Sequence, residues 1–578
     1  MSNIRIQFRV GLAAFIIATG MWGVVGRVPS RAASTTLTVT DSADSGPNTL
    51  RGRLAVAADG DTITFNLPAN TSVVLISPLK VPVTVTLDAS GSTNLVISGN
   101  TITRVFEIGP AARTTMIGFT VANGRVGAGL SGGAIDSTSE VELVGMTFSA
   151  NASGLNGGAI IAPKVLATNS AFLSNTTQYD GGALYVTDVS LASASFISNT
   201  AIGAGISASG RGGGAYVTRN ATVYATLFER NVAAFDEGGG LVVKNTATIS
   251  ASTFISNFAL GLGGGLSGGN VNVWDSDFTA NTADAGGGGI RSSGKLNIGG
   301  DARIVGNQTL NGNGGGVYGS DVRLKDTILL SNTSTYLDGG GVYASGSLVV
   351  YDSLFQGNRA TQTGADGGAI YSKASSTTMI SNTRFIENSA TGAGGAIATE
   401  VPGAPRYGLS LVNSLLVRNS AGGSGQAVRL KAISTLLHNT VIGDPANIKP
   451  AIYAGDSVTT PHVISNTIFS TVTLAIAQAG AAQLSEGNNL YFNVITRTQG
   501  GAITSTAQFT GDPLFVDPSV DDYHIGPGSP AWDAGVAAGI NIDFDHEPRP
   551  RDAGPDIGFD EIGAIPVPIS VYIPNVAR

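Results

Sequence analysis

Six residues recur at fixed places in three consecutive sequence repeats and could together bind a ligand. In each repeat a tyrosine follows an apolar residue, and an asparagine or aspartate stands directly before a run of glycines. The residues are Tyr318, Tyr343, Tyr371, Asn313, Asp338 and Asp366. Flat aromatic rings beside polar groups can bind sugar faces, and carboxylate oxygens can bind Ca²⁺. The pattern predicts a ligand-binding ladder, with ordinary turn formation and tyrosine packing as the alternative interpretation.

The repeat that places these residues has a period of about 25 residues. A tetrapeptide of two glycines, a small residue and an apolar residue recurs between Gly132 and Ile397, and a Phe-x-x-Asn motif alternates with it. The runs between the motifs are rich in Val, Thr, Ser and Leu, which favour β-strands. Such a unit cannot bury its own apolar face, but it can do so against stacked copies of itself. The sequence therefore predicts a parallel β-solenoid.

Two motif residues are predicted to stack along the axis of this solenoid. One phenylalanine per coil would form an interior column, and one asparagine per coil would bond to the asparagine of the next coil. Glycine pairs would allow close approach of the backbone, and glycine and asparagine would supply left-handed corners. The predicted structural ladder comprises Phe148, Phe172, Phe196, Phe228, Phe254, Phe278, Asn151, Asn175, Asn199, Asn231, Asn257 and Asn281.

The alternation of Phe-x-x-Asn with Gly-Gly-Ala-Ile resembles the repeat of the polymorphic outer membrane protein family over about residues 130–420. The resemblance implies an all-β fold, a single-stranded right-handed parallel β-helix of the pectate-lyase-like class. It also implies a secreted or cell-surface bacterial protein. The function that follows is adhesion, or binding of an extracellular glycan or matrix component. A structural surface protein without a ligand is an alternative.

A polysaccharide lyase or a glycoside hydrolase is another alternative, because many β-helices of this class cleave acidic polysaccharides. Hydrolysis requires paired carboxylates across the scissile bond, but the sequence has no Gly-His-Gly motif, and Asp521 and Asp522 lie beyond the repeats. A lyase needs a base, and the basic residues are scattered along the chain. The sequence therefore favours binding and predicts no catalytic residue. It predicts no cofactor, except that the carboxylates of Asp338 and Asp366 could bind Ca²⁺.

The two ends of the chain differ from the repeats and divide it further. Residues 1–33 have a basic start and an apolar run, which is typical of a secretory signal peptide, with an uncleaved membrane anchor as the alternative. Residues 34–60 are predicted to form an N-terminal cap with a short helix, and residues 61–510 the β-helix. Residues 511–563 are predicted as a C-terminal cap and residues 564–578 as a sorting or anchoring tail. This end resembles the terminal segment of exported bacterial β-helix proteins with a choice of C-terminal anchors.

The composition excludes several other classes. The chain has no cysteine, so disulfide frameworks, thiolate metal sites and cysteine nucleophiles are excluded. Its net charge of −8 argues against a nucleic-acid partner, and its 80 glycines lack the triplet period of collagen. After removal of the signal peptide no transmembrane segment is predicted, and the oligomeric state stays open.

Overall fold

The computed structural model describes residues 34–110, 112–203, 209–373, 378–400, 408–431, 433–455 and 461–563. The predicted signal peptide and the predicted anchoring tail lie outside these residues. The described chain winds into a parallel β-solenoid of about 17 turns with very little helix, consistent with a right-handed β-helix. The predicted fold class is therefore confirmed.

The first coils are irregular and begin under a short helix. The helix Leu50–Val56 starts at Thr49, whose side chain accepts a hydrogen bond from the Gly52 amide. Leu50 and Leu54 pack into the core, and the helix contacts the first coils. The strands of this region are Thr36–Val39, Asp61–Phe65, Ser72–Val74, Leu79–Val81, Val85–Asp88, Val96–Ser98, Phe106–Ile108, Thr114–Ile117 and Thr120–Ala122.

Each regular coil contributes a long strand, which bends around one side of the rod and in some coils is broken into two pieces. The long strands are Ile135–Ser137 with Val141–Val144, Ile160–Thr168, Leu184–Ala192, Ala215–Tyr224, Leu241–Ser250, Leu266–Trp274, Ile290–Gly299, Val317–Lys325, Val342–Ala344 with Leu348–Tyr351, Ile370–Ser372 with Thr378–Ser381, Ile397–Thr399 with Leu409–Val412, Val428–Leu430 with Thr435–Leu437, and Pro450–Ala454 with His462–Ser465.

Two further strands complete each regular coil. The middle strands carry the motif phenylalanine or an aliphatic residue in its place, and they are Thr147–Ser149, Ala171–Leu173, Ser195–Ile197, Leu227–Glu229, Thr253–Ile255, Asp277–Thr279, Arg303–Val305, Ile328–Leu330, Leu354–Gln356, Arg384–Ile386, Leu415–Val417, Thr440–Ile442 and Ile468–Ser470. The short strands form a separate 12-stranded sheet and are Arg125–Ala128, Ala152–Gly154, Thr176–Thr177, Thr200–Ala201, Val232–Ala233, Phe258–Ala259, Thr282–Ala283, Gln308–Thr309, Thr333–Ser334, Arg359–Ala360, Ser389–Ala390 and Ser420–Ala421.

The interior of the regular coils holds a column of stacked phenylalanine rings. The six rings from Phe148 to Phe278 are fully buried, with centroids 4.5–5.2 Å apart and planes within 12° of parallel. Beside them, each motif asparagine donates from Nδ2 to the Oδ1 of the asparagine one coil on, as Asn231 does to Asn257 at 2.9 Å. The same Nδ2 also donates to a phenylalanine carbonyl of the preceding coil. Every polar group of these buried amides is thereby satisfied.

Glycine pairs shape one corner of each coil. The first glycine has left-handed backbone, as in Gly181 with φ 73°. The second has no room for a side chain, since a Cβ on Gly182 would lie 1.8 Å from the Gly213 carbonyl oxygen. At the corner after the middle strand, however, the left-handed residue is the one before the motif asparagine, such as Ser174 with φ 53°. The motif asparagine itself is not left-handed, whereas other asparagines are, such as Asn169 with φ 49° at the corner before the middle strand.

The last coils and the segment that follows them end the described chain. Their remaining elements are Leu474–Gln478, Leu484–Phe492, Thr496–Gln499, Ile503–Thr510, Phe515–Asp517, the 3₁₀ turn Pro518–Val520, and Asp522–Ile525. Residues 511–563, here the C-terminal block, pack along one side of the coils between residues 352 and 490. Asn382 and Asn413 donate to the carbonyls of Asp543 and Ile542. The block therefore covers a flank of the rod. The last solenoid strand, Ile503–Thr510, pairs with Leu484–Phe492 and with no other described strand.

Candidate functional site

The structure stacks the three predicted tyrosines in one column on the outward side of the long strands. The ring centroids of Tyr318 and Tyr343 are 5.2 Å apart and those of Tyr343 and Tyr371 are 5.4 Å apart, with nearly parallel planes. Tyr343 and Tyr371 are only 8% and 4% exposed, and burial raises the pKa of Tyr343 to about 12. Because the ring faces cover one another, this column presents little flat aromatic surface to a sugar.

The acidic row beside the tyrosines is tied to the backbone of the corners. Asn313 accepts from the Asp338 amide at 3.0 Å, and Asp338 accepts from the Asp366 amide at 2.8 Å. Asp366 in turn accepts from the Ala393 amide and forms an ion pair with Arg429. Burial and the charge of Asp366 raise the pKa of Asp338 above its usual value. These oxygens complete turns one coil after another, so they are already engaged and do not converge on one point as Ca²⁺ ligands must.

A second polar cluster surrounds Glu237, which stands directly before the glycines of an earlier coil. This buried carboxylate accepts from Ser267 Oγ at 2.7 Å and contacts Lys244 and Arg291. Although burial opposes ionisation, bonds from Lys244 and Ser267 lower the pKa of Glu237 below its usual value. The cavity here measures about 240 Å³. Because Glu237 pairs with both cations, neither is free to remove a proton from a substrate.

An open aromatic surface lies at the end of the long strands, on the side next to the middle strands. There Tyr224 is 57% exposed and Trp274 is 43% exposed. Tyr224, Ser250, Trp274 and Gly299 occupy the same position in four successive coils, each paired with the next. A Cβ on Gly299 would lie 2.5 Å from Trp274 Cζ3. The benzo ring of Trp274 therefore reaches across to the neighbouring coil at this glycine, while 43% of the side chain stays exposed.

This surface continues into a cationic end and carries polar neighbours. In the next coils the same column holds Lys325 and Tyr351, which are paired in register. The guanidinium of Arg323 lies 5.2 Å from the Tyr351 ring centroid and donates to its hydroxyl. We call the following set the aromatic face: Thr222, Tyr224, Ser250, Asn272, Trp274, Asn297, Gly299, Arg323, Lys325 and Tyr351. It combines open rings with hydrogen-bonding groups, as sites for neutral or acidic sugars require.

Sequence reasoning missed the aromatic face although a signal for it was present. Trp274 ends the alternating run Asn272-Val273-Trp274, in which the valine points inward and its neighbours outward. The residue at the same position one coil after Trp274 is Gly299. Because this glycine has no side chain, it leaves room for the Trp274 ring to lie against the neighbouring coil. The spacing of the Gly-Gly motif varies too much to align these positions by counting alone.

Within the parts of the chain that the structure describes, no helix is long and apolar enough to cross a membrane.

Comparison with known proteins gives one family match. Residues 352–373 and 382–400 match the Chlamydia polymorphic membrane protein repeat, and each segment contains Phe-x-x-Asn followed by Gly-Gly-Ala-Ile. No curated protein matches the chain. The repeat match and the parallel solenoid together fit a β-helix of the polymorphic-membrane-protein type, and they indicate a protein of the surface or outer-membrane kind.

Proposed function

We propose that this chain is a secreted or cell-surface β-helix protein that adheres by binding an extracellular glycan or matrix component through the aromatic face. The observation that carries the proposal is the solvent-facing indole of Trp274, seated over Gly299 and two coils from the open ring of Tyr224. Two coils correspond to roughly 10 Å at about 4.8 Å per strand. That separation is comparable with the length of a disaccharide, so successive sugars could rest on the two rings.

The neighbouring side chains favour a saccharide over a purely apolar partner. Asn272 and Asn297 stand two residues before Trp274 and Gly299 in the column beside the rings, where the Nδ2 of Asn297 donates to the Oδ1 of Asn272 at 2.8 Å. At the far end lie Arg323 and Lys325, of which Lys325 also pairs with Asp326 at 3.7 Å. A rigid parallel sheet keeps these groups in place before the ligand arrives, which lowers the entropy cost of binding. The arrangement supports recognition of a polysaccharide by aromatic and hydrogen-bonding groups.

The aromatic face is favoured over the tyrosine column as the binding site because its ring faces are open. Tyr318, at the end of that column, is the one member that stays partly exposed, beside Asn313. Binding at the tyrosine column is the second candidate site, and Ca²⁺ held there by Asp338 and Asp366 would require them to leave their backbone partners. Polysaccharide cleavage is disfavoured by the ion pairs of Glu237 with Lys244 and Arg291.

The proposal is tested by binding of residues 34–578 to a glycan array and to matrix proteins. We expect binding of at least one acidic or neutral polysaccharide, and a loss of about tenfold or more in affinity in Tyr224→Ala/Trp274→Ala, the effect of removing two aromatic anchors. Tyr336→Ala is the matched control, since Tyr336 is 52% exposed but lies in a different corner.

Other outcomes assign the function differently. Loss of binding in Tyr318→Ala/Tyr343→Ala, with no effect of Tyr224→Ala/Trp274→Ala, would move the site to the tyrosine column. Release of reducing ends or of unsaturated sugars from the same polysaccharides, abolished in Glu237→Gln, would establish an enzyme. Absence of both binding and cleavage would favour a purely structural surface protein.

A further inference from the structure

Three side chains from separate stretches of the C-terminal block converge on one point. His524 lies on the strand Asp522–Ile525, Asp545 lies in the turn that follows Asp543, and Asp560 lies near the end of the described chain. One potential ligand atom from each lies within 4.8 Å of the other two. No other group of three histidines or acidic residues among the described residues meets this condition.

The histidine ring in this cluster is oriented by a fourth residue. Nδ1 of His524 lies 2.5 Å from Asp522 Oδ1, and Nε2 lies 2.8 Å from Asp545 Oδ2. When Nδ1 carries the proton and donates it to Asp522, the lone pair of Nε2 faces Asp545. Histidines that bind metal ions are usually held in this way, with a carboxylate on the nitrogen that does not bind the metal.

The three carboxylates of the cluster outnumber the cations near them, which are the imidazole of His524 and the guanidinium of Arg384 close to Asp522. Asp522, Asp545 and Asp560 surround one imidazole, which can neutralise at most one of them when protonated. Asp560 is only 6% exposed, and one of its oxygens accepts from the Ile525 amide at 2.8 Å. A buried carboxylate is costly unless it is paired or binds a metal. Asp545 is half exposed, so the cluster is open to solvent on one side.

We propose that His524 Nε2, Asp545 and Asp560 bind a divalent transition-metal ion of the Zn²⁺ type, with Asp522 as the positioning residue. One imidazole and two carboxylates are a ligand set that Zn²⁺ or Mn²⁺ accepts, whereas Ca²⁺ takes oxygen ligands. Water would fill the remaining positions on the open side. The separations of the ligand atoms are short enough for a single ion to bridge them after small side-chain movements.

Such an ion would fasten together three stretches of the C-terminal block. The hydrogen bonds of Asp543 and Phe544 with Asn382 place the Asp545 turn against the rod, and Asp560 anchors the strand that contains His524. A ligand that binds only the folded state stabilises it. In a chain without cysteine, this ion would hold the block in its folded form as a disulfide does in other exported proteins.

The test is calorimetry of the EDTA-treated and dialysed chain, residues 34–578, titrated with ZnCl₂ and separately with CaCl₂. We expect one equivalent of Zn²⁺ to bind and to raise the midpoint of thermal unfolding of the C-terminal block. Binding should weaken by at least about tenfold in His524→Gln and in Asp545→Asn, each of which removes one ligand. His546→Gln is the matched control, because His546 is an exposed neighbour that pairs with Asp352 instead.

Three results would overturn the assignment. The parent protein could bind no Zn²⁺, in which case the cluster consists of ion pairs around a protonated His524. Both variants could bind Zn²⁺ as the parent does, or the chain could bind Ca²⁺ at this site in preference to Zn²⁺. The circular dichroism of Asp545→Asn at neutral pH shows whether the variant is folded, and the exposure of Asp545 makes folding the expected result. The outcome is independent of glycan binding, since the aromatic face lies on other coils.

Discussion

The regular coils around Phe148 to Phe278 and the C-terminal flank of the rod are stabilised by different kinds of contact. The regular coils repeat neutral groups that satisfy one another, with phenylalanine on phenylalanine and asparagine bonded to asparagine. The C-terminal coils and the block that covers them bury histidine, arginine and carboxylates, among them His438, Arg549 and Asp556. A repeated interior can therefore be built without charge, whereas a single irregular interface uses ionisable groups and becomes sensitive to pH.

The largest effect is expected from a cavity in the phenylalanine column. Phe254→Ala should cost about 4 kcal/mol of unfolding free energy, because it removes a fully buried ring that stacks on Phe228 and Phe278. Urea denaturation followed by circular dichroism measures the loss. Phe469→Ala is the matched substitution in the C-terminal coils, where the ring stacks on Tyr491, and we expect a smaller cost. Equal costs at both sites would contradict the difference between the two regions.

The asparagine ladder should be the next most sensitive feature. Asn257→Ala removes the acceptor for the amide and Nδ2 of Asn231 and the donor to the Phe228 carbonyl. Buried groups left unsatisfied in this way should cost about 3 kcal/mol together. The control is Asn245→Ala, which breaks a bond of similar length to Asn220 at the surface. If the control destabilises the protein as much as Asn257→Ala, the ladder has no special role.

Acidification should destabilise the C-terminal coils but not the regular coils, because of the buried side chain of His462. This side chain is fully buried in the C-terminal coils, neither ring nitrogen has a hydrogen-bond partner among the described residues, and burial lowers its pKa to about 4. Between pH 6.5 and 4 the unfolded chain binds a proton that the folded chain does not, so stability falls as the pH falls. Relative to His462→Met, the parent should lose about 2 kcal/mol between pH 7 and pH 5.

Hydrogen exchange at the two pH values locates that loss. Protection should fall in the C-terminal coils of the parent and not in the regular coils, which contain no histidine. Burial also raises the pKa of Asp556 to about 7, which favours the folded block as the pH falls, but this residue is present in both proteins and cancels in the comparison. A loss of the same size in His462→Met would contradict the assignment.

The smallest effect is expected at the edge of the C-terminal block. Arg418 donates to Asp521 of the block at 2.7 Å and also to Glu387. Because its side chain is more than one third exposed, Arg418→Ala should cost about 1 kcal/mol or less. Limited proteolysis should release the block faster in this variant than in Arg219→Ala, which breaks an exposed ion pair in the regular coils. Unchanged proteolysis would show that the block is held without Arg418.

The sequence predicted the features that repeat. A period of about 25 residues and the Phe-x-x-Asn motif led to a parallel solenoid with stacked Phe172 and Phe196, because stacking follows from the repeat itself. Alternation along the strand also placed Tyr343 and Tyr371 outside the phenylalanine core. What the repeat could not predict was their burial, which depends on ring stacking with the neighbouring coil and, for Tyr371, on a hydrogen bond to Glu400 about one coil later.

The features that do not repeat could not be predicted from the sequence, because they depend on contacts between segments that no period relates. The lean of Trp274 over Gly299 depends on the register of two particular strands, which insertions in the loops obscure. The meeting of His524, Asp545 and Asp560 depends on the irregular path of the C-terminal block, where no period relates one residue to the next. Local sequence patterns determine which way a side chain points, whereas its burial and its contacts depend on other segments of the chain.

Hydroxyl-radical footprinting of the chain with and without its tightest-binding glycan tests the central claim most directly, because it reports on single side chains. We expect oxidation of Trp274 and Tyr224 to fall several-fold on binding, while Tyr336, equally exposed but in a different corner, stays as reactive as before. Unchanged oxidation of Trp274 and Tyr224 in the saturated complex would contradict the aromatic face as the binding surface.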